Sequence, residues 1–145
     1  MGSRRKARVI ALQALYAWEM SASPLQELLE FRWMDADRRS RLDETTLSFA
    51  RHLIAGAIEN IDIIDGDISA QLEHWDIDRL RKVDLALLRM SVFALDFQED
   101  IPPTVIIDEA VDIAKLYSID DSYRFVNGVL DGIRKKKRKN GAKAL

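Results

Sequence analysis

The sequence predicts an all-α fold: a compact bundle of about seven helices in two subdomains, with no sheet. Three observations carry this. Apolar residues recur every three to four positions almost throughout the 145 residues, the period of one buried helix face. No stretch shows the strict apolar–polar alternation of a half-buried strand, and no 20–50-residue repeat occurs. The breaks between periodic stretches hold proline or clusters of Ser, Asp and Asn, the residues that start and stop helices.

Arg4 to Met20 reads as the first helix, with Val9/Ile10, Leu12, Leu15/Tyr16 on its inner stripe and Ala7, Ala11 and Ala14 as strong helix formers. Its first turns carry Arg4, Arg5, Lys6 and Arg8. Positive charge there opposes the helix macrodipole, so the helix gains nothing from it, which favours a binding role. Ser23 and Pro24 cap a short second helix through Leu25, Leu28/Leu29 and Phe31/Trp33. Asp35 to Arg41 reads as a charged loop. Asp43 starts a third helix, with Leu47, Ala50, Leu53/Ile54 and Ala57/Ile58 inward and Gly56 as a close-packing position.

The first subdomain is expected over about 4–61 and the second over about 62–137, within a single domain of residues 1–140; residues 138–145 are expected to be a basic flexible tail. Ile63/Ile64, Ile68 and Leu72 continue a stripe to Glu73, and Trp75 is expected to plug the junction of the halves. Asp76 or Asp78 is expected to cap the next helix, which runs to about Asp96. That helix is apolar on more than one face, through Leu80, Val83, Leu85, Leu87/Leu88, Met90, Val92 and Phe93, and should be the most buried. Pro102 and Pro103 then stop the chain and open a helix through Val105/Ile106, Ala110, Ile113 and Leu116/Tyr117. After the polar turn Ser118–Asp121, Phe125/Val126, Val129/Leu130 and Ile133 restart the period, with Gly128 and Gly132 offering close approach to another helix. On periodicity alone Phe125 is a core residue and Asp121 an N-cap.

Composition narrows the function. No apolar run nears the roughly 20 residues of a membrane span, and there are no cysteines, which removes disulfides and thiolate chemistry and suits a reducing cytoplasm. No glycine-rich phosphate cradle is present. His52 has no second ligand near it. His74 is followed by Trp75 and not directly by an aspartate, so the adjacent His-Asp pair of helical metal-dependent phosphohydrolases is missing. The calcium-loop-like Asp65-x-Asp67-x-Ser69 places Ala70 where the sharp turn needs glycine. No cofactor or metal is expected, and Asp108/Asp112 reads as solvated surface. The net charge of −2 hides a segregation: residues 1–8 carry four Lys/Arg, residues 134–145 carry seven, and neither end holds an acid. The middle, residues 9–133, holds all 24 acids and the other eleven basic side chains, a net of −13. Basic ends on an acidic body suit a polyanion bound only where the ends lie. The start of the last helix adds free amides, Arg124 and an aromatic ring, the kit that holds single-stranded RNA.

Three ordered motifs resemble the NusB family of bacterial transcription antitermination factors: Arg4-Arg5-Lys6-Ala7-Arg8 with Ala11-Leu12-Gln13-Ala14-Leu15-Tyr16; Trp75, Arg79-Leu80 and Val83-Asp84 with Leu88-Arg89; and Pro102 to Lys115 with Ser122-x-x-Phe125-Val126-Asn127-Gly128-Val129-Leu130-Asp131. The resemblance covers almost the whole chain; residues 21–60 match only in helical pattern. It implies a non-enzymatic adaptor that binds boxA-type single-stranded RNA together with a small-subunit ribosomal protein, called NusE in this role, docks on the RNA polymerase antitermination complex, and suppresses termination, notably on ribosomal RNA operons. It implies an RNA site at Arg4, Arg5, Lys6, Arg8, Gln13, Asp121, Arg124 and Phe125, and a partner contact at Tyr16, Asp78 and Asp84. The basic run Arg134 to Lys139 exceeds what the family motif requires. The family fold also occurs fused to an RNA cytosine methyltransferase, an activity not expected of this chain. The competing reading is an interaction-only helical scaffold whose basic ends aid solubility; a metal-dependent hydrolase is a weaker third.

Overall fold

The computed structural model describes residues 2–144, and in them eight α-helices and one 3-10 turn, without strands. The helices are α1 (Ser3–Ser21), α2 (Leu25–Leu29), α3 (Ala36–Ser40), α4 (Glu44–Glu59), α5 (Ile61–Ser69), α6 (Lys82–Phe97), α7 (Pro103–Tyr117) and α8 (Ser122–Ala144), with the 3-10 turn at Ile77–Arg79 between α5 and α6. The all-α expectation holds.

Local chemistry sets the boundaries. α1 stops at Ala22, which takes a left-handed φ of 51° and returns its N–H to the Trp18 carbonyl. α2 is shorter than its apolar pattern suggests. The chain turns left-handed at Phe31 (φ 57°) with that ring fully buried, a conformation a bulky residue adopts only when packing imposes it. Trp33 Nε1 donates to the Leu28 carbonyl and closes the turn. Asp35 to Arg41 is not a loop: Asp35 accepts from the Asp37 N–H and starts the five-residue α3, the N-cap role of a short acidic side chain. Asp43 does the same for α4, accepting from the Thr46 N–H at 2.8 Å. α5 ends at Ser69, before the expected Glu73, and neither Asp76 nor Asp78 caps α6 with its side chain. The Pro102–Pro103 stop opens α7 as expected.

α6 sits at the centre. Every residue from Asp84 to Ala94 is buried, and α1, α4, α5, α7 and α8 pack around it. Buried side chains from before and after residue 61 form one contiguous cluster, from Ala7 to Ile133. The Phe93 ring of α6 lies directly over Gly56 of α4, where a Cβ would run into it. The Phe93 ring is held by Phe97, stacked at 5.3 Å, and by the edge of His52. Of the two glycines of α8 expected to admit another helix, Gly132 lies against the side chain of Gln71, in the turn after α5 and not in a helix, and Gly128 faces open space. Trp75 does not plug a junction; it is 61% exposed. α8 continues as helix through the segment 138–144 expected to be a tail, and Leu145 lies outside the described residues.

These glycines give a paired prediction. Gly→Ala in a helix interior gains about 1 kcal/mol from propensity, whereas forcing a methyl into a packed core costs about 1–3 kcal/mol. Urea melts should show Gly128→Ala at or above the parent stability and Gly56→Ala well below Gly128→Ala. Equal melts for the two variants would contradict the close α4–α6 contact.

Candidate nucleic-acid interface

The cations at the start of α1 divide into two kinds. Arg5 and Arg8 face α7. The Arg5 guanidinium donates to both oxygens of Glu109, at 2.9 and 3.1 Å, and to Asp112 at 2.7 Å. Hydrogen bonding to Glu109, reinforced by Asp112, raises its pKa despite some desolvation. Arg8 is 9% exposed; burial pushes its pKa down while Glu109, 3.7 Å away, pulls it up. Its guanidinium also lies over the Phe49 ring, as does that of Arg4. Arg4 and Lys6 are exposed and make no ion pair among the described residues. So Arg5 and Arg8 tie α1 to α7, a structural use that the macrodipole argument overlooked. Gln13 is half-buried one turn further on, with Oε1 buried and unpartnered.

The start of α8 is built from below. Asp84, in the first turn of α6, is 4% exposed. It accepts from the Ser118 hydroxyl at 2.6 Å and from the Ser122 hydroxyl at 3.1 Å. One carboxylate thereby ties both ends of the α7–α8 turn to the central helix. This corrects the expectation that Asp84 presents charge to a partner: its oxygens are spent inside the protein. Tyr16 and Asp78, the other two expected partner residues, are on the surface.

What the turn presents outward is Asp121, Arg124 and Phe125. The Asp121 and Arg124 side chains are 81% and 72% exposed. Phe125 is 37% exposed, so it is not the core residue its period suggests; Val126, Val129, Leu130 and Ile133 fill the inner face of α8. Tyr123 was not singled out from sequence. Lys115 lies 4.9 Å from its ring centroid and Arg124 5.6 Å, and Arg124 Nε donates to the Tyr123 hydroxyl at 3.0 Å, which raises the Arg124 pKa. Leu116, Tyr117 and Ile119 add exposed apolar surface at the same turn. α7 thus joins the two halves of the site: Glu109 and Asp112 hold α1, and Lys115 meets the start of α8. The start of α8 offers a cation, an aromatic face and an exposed carboxylate together, whereas the exposed cations of α1 lie toward α3 and α4, Lys6 beside Arg38 and Arg41 and Arg4 over Phe49.

A family model described as the NusB family matches residues 5–135. The chain belongs to the NusB family. The transcription antitermination protein NusB of Treponema pallidum is 50% identical over 133 residues, 91% of this chain and 92% of that protein. A solved structure of T. maritima NusB is 40% identical, with a TM-score of 0.80 over 91% of this chain and 90% of that one. A chain in the crystal structure of antitermination factors NusB and NusE in complex with dsRNA is 30% identical, with a TM-score of 0.82 over 92% of this chain and 97% of that one. Membership of the NusB family makes this a transcription antitermination factor, and among the described residues no helix is long and apolar enough to cross a membrane.

The Asp84 bridge predicts a stability effect. Asp84→Ala leaves two serine hydroxyls without their acceptor and should cost about 1–3 kcal/mol in urea unfolding. Asp84→Lys buries an unpaired charge and should cost more. A melt of Asp84→Lys matching the parent would return Asp84 to the surface.

Proposed function

We infer that this NusB protein binds boxA-type single-stranded RNA across the face formed by the start of α1, α7 and the start of α8, together with ribosomal protein NusE, and suppresses termination by RNA polymerase, notably on ribosomal RNA operons in the cytoplasm. The observation that carries the reading is the start of α8: Phe125, with a period that calls for burial, is left partly exposed beside Arg124 and Asp121. An exposed ring next to a cation is a stacking platform for a splayed base. Asp121 accepts from base amino or imino groups and supplies sequence preference where the cations supply none. Arg4, Lys6 and Arg124 serve the phosphates; Arg5 and Arg8, fixed on α7, position α1. The function is binding and positioning, not catalysis. A relative in complex with NusE and dsRNA supports the partnership. NusE would meet Tyr16 and Asp78, both exposed, while Asp84 acts on that contact only through the fold.

The interaction-only scaffold draws support from the ion pairs of Arg5 and Arg8, which show part of the basic N-terminus at structural work. One variant separates the two. Phe125→Ala should weaken boxA-type RNA by roughly 1–3 kcal/mol in polarisation titrations, with little change in melting, because the ring is already partly exposed. Asp121→Ala should narrow the gap between boxA-type and scrambled RNA, with a duplex of the same sequence as a further competitor. A Phe125→Ala protein that melts far earlier yet binds RNA normally would return Phe125 to packing and favour the scaffold.

A further inference from the structure

The RNA site proposed above occupies only the first turn of α8, but the exposed face of that helix continues. Arg124, Asn127, Gly128, Lys135, Arg138 and Lys139 are all exposed and fall three to four residues apart along one side, with Asp131 half-buried among them. From Arg124 to Lys139 this side spans roughly 22 Å at 1.5 Å per residue.

Charge is arranged by position along it. Asp131 accepts from Arg134 at 2.7 Å and pairs with Lys135 at 2.9 Å, and Lys137 turns inward to Asp96. These contacts neutralise Asp131 and Asp96, two acids that would repel a polyanion. Lys135 stays 66% exposed in spite of its pair, and among the described residues Lys136, Arg138 and Lys139 have no acidic partner.

Gly128 is the second observation. It lies in the interior of a long helix, has no positive φ, and a Cβ would meet nothing within 4 Å. Neither turn geometry nor packing calls for a glycine there, and glycine weakens a helix relative to alanine. Without a side chain there, the helix backbone is open to close approach from outside this chain. Gly128 lies between Arg124–Phe125 and Lys135–Lys139.

We propose that the outer face of α8, from Arg124 across Gly128 to Lys135, Arg138 and Lys139, is a track for the phosphate backbone of single-stranded RNA that continues out of the site at the start of the helix. Charge complementarity and continuity with that site identify the occupant: an RNA strand whose specific element is held at Phe125 and whose flanking nucleotides run over the glycine saddle onto the cations. The proposal rests on the RNA-binding reading. It adds that flanking RNA is bound through its backbone, without sequence preference.

The test compares a short boxA-type RNA with the same element extended by a run of uridines at either its 5′ or its 3′ end. The parent chain should bind one extended RNA more tightly than the short one. The Lys135→Gln, Arg138→Gln, Lys139→Gln triple variant should lose that gain, roughly tenfold in Kd, with the salt slope for the long RNA falling by about 0.7 per phosphate contact removed. Its affinity for the short RNA should not change. Gly128→Gln keeps the charge and favours the helix, so it should melt no earlier than the parent while losing the same long-RNA gain. The track is overturned if the parent gains nothing from either extension, if the triple variant weakens short and long RNA alike, or if Gly128→Gln binds long RNA as the parent does. The reading beneath it is judged separately, by whether Phe125→Ala weakens the short RNA.

Discussion

Over the length from Asp84 to Ala94 α6 has no solvent face, and the remainder of the structure depends on this constraint. A helix buried all round must find partners for each charge it carries, because an unpaired buried charge costs several kcal/mol, on the order of 3–5 when a partner is removed. The buried run carries two. Arg89 forks to both oxygens of Asp65, each at 2.9 Å, and reaches Glu19 at 2.8 Å. Burial opposes its charge, and these hydrogen bonds outweigh it, so its pKa is raised. Asp84 takes the hydroxyls of Ser118 and Ser122. One charge therefore fixes α1 and α5 on the central helix, and the other fixes the turn between α7 and α8. Both sets of partners sit against the first half of α6, so the end of α1 and the start of α8 are brought to the same end of it.

This arrangement separates holding from binding. The groups that hold the site, Asp84, Ser122, Arg8 and Arg89, are buried. The groups offered outward, Asp121, Arg124, Phe125, Arg4 and Lys6, are exposed side chains on helix ends whose backbone is fixed from below. A binding residue held this way loses little freedom when a ligand arrives, which favours affinity. The two tethered arginines fit the same division: neutralising Glu109 and Asp112 removes acids that would repel a phosphate backbone.

Much of the fold was legible because burial follows period. Val126, Val129, Leu130 and Ile133 were read as one face and are one face; Gly56 was read as a close contact and lies under Phe93; the all-round apolar pattern of α6 marked it as the centre. What failed depended on partners distant in sequence. Asp84 looked like a surface acid because its acceptor role involves Ser118 and Ser122, 34 and 38 residues away. Trp75 was expected at the junction of the halves, yet it is exposed. Phe125 adjoins the buried stripe at Val126 and falls just outside it, a rotation that periodicity does not resolve. The division of the arginines was foreshadowed by Arg5 and Arg8 at a three-residue spacing opposite Glu109 and Asp112 at the same spacing, a complementarity meaningful only once α1 and α7 are known to be neighbours. The candidate site itself came from the family resemblance, not from pattern.

The central claim is that the turn held by Asp84 presents an RNA-binding surface. Amide hydrogen exchange on the intact chain, with and without boxA-type RNA, measures this directly. The account predicts new protection concentrated at Ser118 to Val126 and in the first turns of α1, weaker with scrambled RNA and absent from α3. Protection confined to the C-terminal half of α8, or spread evenly over the basic ends irrespective of RNA sequence, would contradict it.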